Sequence, residues 1–109
     1  MKRIILFASV IGFAAALAAS AAEPKETWGA SCARCHGADG KGQTAMGKKL
    51  GIKDLTDAKV QTELKDDVAA KTIKEGVKDK DGKTLMKPFD NLSDEEIKAL
   101  VQYVRSLKT

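Results

Sequence analysis

Apolar residues follow one another from Ile4 to Ala19 with hardly a break, and only after Pro24 does the chain become mixed. The first mixed stretch, residues 25–36 ("KETWGASCARCH"), predicts a short helix that ends at Gly37. Gly37, Gly40, Gly42, Gly47 and Gly51 then predict an irregular loop whose backbone passes close to something. Helical spacing returns from Asp57 to Glu75. There Val60, Leu64, Val68 and Ile73 can share a face, with a break expected between Lys65 and Asp67 and a stop at Gly76. A second loop follows, with a turn at Asp81-Gly82 and a rigid point at Pro88. The last element is the clearest: Ser93 and Glu96 make a capping box, and Ile97, Leu100, Val101, Val104 and Leu107 recur behind it at helical spacing. No run alternates with period two, so no strands are expected. The pattern reads as all-α with two long loops and no internal repeat.

The apolar opening reads as an address. Lys2 and Arg3 precede it, and it closes on Ala19-Ser20-Ala21 before Glu23 and Pro24, the order of a secretory signal peptide. It is Ala-rich and shorter than the ~20 apolar residues that span a bilayer. We therefore expect residues 1–21 to be a cleaved leader and residues 22–109 to be one small domain in the periplasm. An uncleaved anchor is the alternative.

Processing changes the composition. Phe7 and Phe13 depart with the leader, which leaves Trp28, Phe89 and Tyr103 as the aromatics of the mature chain. A domain this small often needs a staple or a cofactor to complete its core. Loss of Lys2 and Arg3 halves the formal net charge of +4. The remaining charges are interspersed, with no basic stripe carrying aromatics, so nucleic acid is not an expected partner.

Both cysteines and the only histidine fall within Cys32-Ala33-Arg34-Cys35-His36. Zinc would want four ligands, commonly two CxxC pairs or CxxC with two histidines, and neither set is available. A thioredoxin-type switch would want a βαβ setting. A disulfide between positions three apart would close a tiny loop and stabilise little. The reading that remains is covalent haem attachment, for which C-x-x-C-H is the signature. Cysteines at i and i+3 face the same way on one helical turn, so both reach the vinyl groups of one porphyrin. The adjoining His36 then offers an imidazole nitrogen to the iron.

With His36 used, the sixth ligand falls to methionine, the other common partner in such proteins. Met46 lies close behind His36 in the glycine loop and reads as core filling. Met86, in "LMKPF", stands far enough along the chain to cross to the other haem face, with Pro88 stiffening its loop and Phe89 beside it. Met86 is the favoured ligand. The alternative is a core methionine with the sixth position open.

At this point the chain resembles the class I monohaem c-type cytochromes, in particular the small bacterial periplasmic ones. The likeness runs from about Thr27 to Leu107 and rests on "CARCHGADGKG", "AAKTIKEG" and "LMKPFDNLSDEEIKALVQYVRSL", in that order. It implies the cytochrome c fold, with N- and C-terminal helices packed beside a covalently bound haem c. It implies that Trp28 packs on Leu100 and Tyr103. By the same likeness Cys32 and Cys35 are thioether anchors, His36 the proximal ligand and Met86 the distal one. Many members carry a proline after the CHG loop whose carbonyl orients the proximal histidine. This chain has no proline between Pro24 and Pro88, so a carbonyl around Lys49–Ile52 is expected in that role.

Two weaker motifs drop out. "GQTAMGKK" lacks the Ser or Thr that closes a phosphate-binding loop, and "DKDG" lacks the first carboxylate of a calcium loop and reads as a turn. The expected function is a soluble periplasmic single-electron carrier, not an enzyme. Its partners are redox proteins, it touches membranes only through transient docking, and it is expected to be a monomer. The rival readings are a ligand-binding or peroxidase-like haem protein and an electron-transfer subunit of a larger redox complex.

Overall fold

The structure, a computed structural model, describes residues 23–109; the expected leader lies outside the described residues. The chain opens on α1 (Pro24–Thr27), with Pro24 at the first helical position, where its missing N–H costs nothing. A π-helical turn, Trp28–Cys32, leads without interruption into α2 (Ala33–His36), which ends at Gly37 as expected. The glycine loop contains a helix that the sequence did not announce, α3 (Ala45–Leu50). Thr44 caps its N-terminus, accepting from Gly47 N–H at 2.8 Å, and donates its own hydroxyl to Cys35 O at 2.6 Å. Gly47 is required here, because a Cβ would lie 2.6 Å from Cys35 O.

The helical stretch from Asp57 to Glu75 is broken, as expected, and the break falls at Leu64–Lys65. Asp57 caps α4 (Ala58–Glu63), the backbone turns extended at Leu64 and Lys65, and α5 (Asp66–Glu75) restarts in a new phase. The phase change corrects one expectation. Val68 is 53% exposed, and Ala69 takes the buried position on α5 instead. The absence of strands is corrected too: β1 (Val77–Lys78) pairs antiparallel with β2 (Thr84–Met86), Val77 opposite Met86. The turn between them is held by Asp79, whose carboxylate accepts from the N–H groups of Asp81 and Lys83 at 2.9 Å each.

Helix α6 (Asp94–Ser106) starts at the complete Ser93–Glu96 capping box and packs against α1 and α5. Its apolar stripe, Ile97, Leu100, Val101 and Val104, is buried together with Trp28, Ala69 and Phe89. None of the described large side chains is fully enclosed, so protein atoms alone leave this core incomplete. Among the described residues no helix is long and apolar enough to cross a membrane.

Candidate haem site

Trp28, Cys32 and His36 recur every four residues, and on an α-helix each such step drifts about 40° around the axis. The π turn, closed by Ala33 N–H to Trp28 O, holds more residues per turn and winds that drift back. All three side chains consequently line one cavity of about 190 Å³. Leu55, Leu64, Ile73, Leu100 and Val104 make its apolar wall, and Met86 and Phe89 enter it from β2 and the segment after it. Phe89 is held by its N–H, which donates to Ile73 O at 2.9 Å.

The expected site residues separate clearly. Cys32, His36 and Met86 share the cavity. Cys35, one turn from Cys32, is half-buried, as is Cys32. Met46 stands on α3, 38% exposed, outside the cavity wall. Trp28 packs on Tyr103 with ring centroids 5.5 Å apart, the contact the family likeness implied, and its indole N–H donates to Gly37 O at 3.1 Å. The same indole stacks obliquely on His36, also at 5.5 Å.

Electrostatics suit a metal ligand on one side of the cavity and covalent anchors beside it. Burial lowers the His36 pKa, which keeps the imidazole neutral with a free lone pair. Burial first, and then Cys35, push the Cys32 thiol up, with Lys87 pulling the other way. One expectation fails at this point. His36 Nδ1 is buried with no hydrogen-bond partner among the described residues, so no carbonyl of 49–52 orients it. Of these carbonyls, Ile52 O lies against Gly42. Among the described residues no group of three or more His, Cys, Asp and Glu stands together to hold an ion. An apolar slot with a neutral histidine, an adjacent thiol, a thioether and unfilled core volume fits a haem.

Residues 19–104 match the family described as cytochrome c oxidase, cbb3-type, subunit III. The chain belongs to this family of c-type cytochromes. Cytochrome c-553 of Helicobacter pylori is 32% identical over 108 residues, which cover 99% of this chain and 100% of that protein. Among solved structures, the KustC0563 c-type cytochrome superposes with a TM-score of 0.69 at 34% identity, over 80% of this chain and 99% of its own. A point mutant of that protein gives 0.66 at the same identity. The fold is thus the all-α cytochrome c fold, with one short two-stranded hairpin in it. This cytochrome carries covalently attached haem c and is a haem-based electron carrier.

Some residues that shape the site were not visible in the sequence. Gly76 reads there only as a helix stop, yet its Cα lies against the backbone of residues 86–88. Leu55 and Thr72 line the cavity without belonging to any motif. Helix α3 lies between a capping Thr44 and a left-handed Gly51 seven residues apart, a pattern hidden among the other glycines of the loop.

Proposed function

We propose that His36 and Met86 would hold the haem iron, that Cys32 and Cys35 would anchor the haem through thioethers, and that the protein is a soluble one-electron carrier of the periplasm. The observation that carries this reading is that His36 and Met86, remote in sequence, open into the same apolar cavity as Cys32. Bound there, haem supplies a one-electron Fe(III)/Fe(II) couple. The chain's own residues do the rest. His36 presents a neutral imidazole, because burial disfavours its charged form. Met86 offers a thioether, a ligand that raises the reduction potential. Leu55, Leu64, Leu100 and Val104 exclude water, so little solvent rearranges when charge changes. With His36 and Met86 both committed to holding the iron, no position would remain for a substrate, which is the behaviour of a carrier and not of a catalyst. The N-terminal signal-like order supports export.

The test is the oxidised absorption spectrum. The wild type and Met46→Ala should show a sulfur-to-iron charge-transfer band, and Met86→Ala should lack it. A high-spin wild type that binds carbon monoxide rapidly would favour the open-site rival. A second reading, an electron-transfer subunit of a larger complex, is favoured by the family's description as an oxidase subunit. Migration of the exported protein as a free monomer would support the separate carrier, and constant co-purification with an oxidase would oppose it.

A further inference from the structure

Behind the cavity wall, Gln61 and Arg105 form a polar pair that electron transfer does not use directly. Gln61 is 6% exposed, a polar side chain in a core position. Its amide nitrogen donates to Leu55 O at 2.5 Å and to Val104 O at 2.9 Å, and its amide oxygen accepts from Arg105 Nη1 at 3.0 Å. Arg105 Nη1 also donates to Gln61 O at 2.6 Å, Nη2 donates to Leu64 O, and Nε donates to Asp66 Oδ1 at 2.8 Å. Leu55, Leu64 and Val104, whose carbonyls receive these bonds, all line the cavity.

The arrangement answers a local defect. Helix α4 has six residues, stops at Leu64 where ψ is 114°, and cannot pass its last carbonyls on to α5. A helix so short does not hold itself. The guanidinium fork takes two of those carbonyls at once, a geometry that the point charge of a lysine does not reproduce. Three separate segments (the stretch before α4, the break after it, and the last turn of α6) are thereby fastened to one another.

We propose that Gln61 and Arg105 are positioning residues for the redox centre: they hold Leu55, Leu64 and Val104 in place as a dry wall and so help set the reduction potential. This rests on the haem occupying this cavity. Oxidised haem iron carries one more positive charge than reduced, and apolar surroundings disfavour the charged form. A loosened wall admits water and lowers the potential.

The test compares midpoint potentials of holoprotein variants by spectroelectrochemistry, with the charge-transfer band recorded alongside. Gln61→Leu keeps volume and neutrality but removes the amide's bonds to Leu55 O and Val104 O, the latter keeping only Leu107 N–H. Arg105→Lys keeps the charge and gives up the fork, so a shift cannot come from lost charge. Val101→Ala is the control: it is 4% exposed and faces the groove between α5 and α6, away from the cavity. Gln61→Leu and Arg105→Lys should both shift to lower potential with the band intact, while Val101→Ala loses stability and keeps its potential. An unshifted potential in Gln61→Leu and Arg105→Lys, or an equal shift in Val101→Ala, would overturn the proposal. If Gln61→Leu yields no holoprotein, Arg105→Lys decides alone. A wild type without the band would refute Met86 ligation separately, and the potential comparison would still report on the wall.

Discussion

Replacing Gly76 by alanine should detach Met86 from the iron while the rest of the fold survives. Gly76 closes α5 with its N–H on Thr72 O at 2.8 Å, at φ 74° and ψ −173°, a region open essentially to glycine alone. A Cβ there would strike the Met86 carbonyl, lie 2.8 Å from Pro88 N and 3.0 Å from Lys87 C, all backbone atoms with no rotamer to yield. The backbone strain costs about 1–3 kcal/mol. The overlap adds about 1–3 kcal/mol. Against the ~5–15 kcal/mol that holds a domain together, that weakens the protein without abolishing it. Relief comes most easily from residues 86–88, which leave a two-stranded hairpin, and not from α5, which is packed on α6. The assay is the oxidised spectrum together with a guanidinium titration. Gly76→Ala should lose most of the charge-transfer band and a few kcal/mol of stability. Gly29→Ala, where a Cβ meets nothing within 4 Å, should keep the band and match or exceed wild-type stability. A full band and an unchanged titration in Gly76→Ala would refute the reasoning.

Three further outcomes are expected. Trp28→Phe keeps the packing on Tyr103 but removes the indole bond to Gly37 O, which still accepts from Gly40 N–H at 3.1 Å, at a cost of about 0.5–1.5 kcal/mol in denaturant titration, whereas Trp28→Ala costs about 3–5 kcal/mol. Ser93→Ala breaks the capping box of α6 and should lower stability by about 1 kcal/mol, read as a shift in the urea midpoint with unchanged slope. Asp54 accepts from the Thr56 hydroxyl at 2.6 Å and the Thr56 N–H at 2.8 Å, and these bonds, the hydroxyl's first, hold its carboxyl below the usual range. A folded-state pKa that is depressed stabilises above the ordinary carboxylate pKa of about 4 and is lost as pH falls through the folded value. Asp54→Asn should therefore be less stable than wild type at neutral pH, and the two unfolding curves should converge in strong acid.

The redox chemistry was legible because it is local: five consecutive residues carry both cysteines and the histidine, and "LMKPF" places one methionine far from them. The terminal helix was legible because a capping box and a long apolar stripe agree. The pairing of Trp28 with Tyr103 came from the family likeness alone, since nothing in either residue's neighbourhood announces the other. What stayed hidden depends on phase and on contacts distant in sequence. Val68 fits the stripe of one continuous helix, and only the break at Leu64–Lys65 turns it outward. Strands of two and three residues are too short to show alternation, though Asp81-Gly82 marked their turn. Gln61 and Arg105 look like ordinary surface residues of amphipathic helices until the fold brings them together across α4 and α6. The orientation of His36 was misread for a related reason: an acceptor inferred from a missing proline has no counterpart in the backbone around it.

Denaturing mass spectrometry of the exported protein, made in a host that matures c-type cytochromes, tests the central claim most directly. One species is expected, with the mass of residues 22–109 plus a single haem and with neither Cys32 nor Cys35 open to alkylation. A mass without haem, and two thiols that alkylate freely, would contradict it.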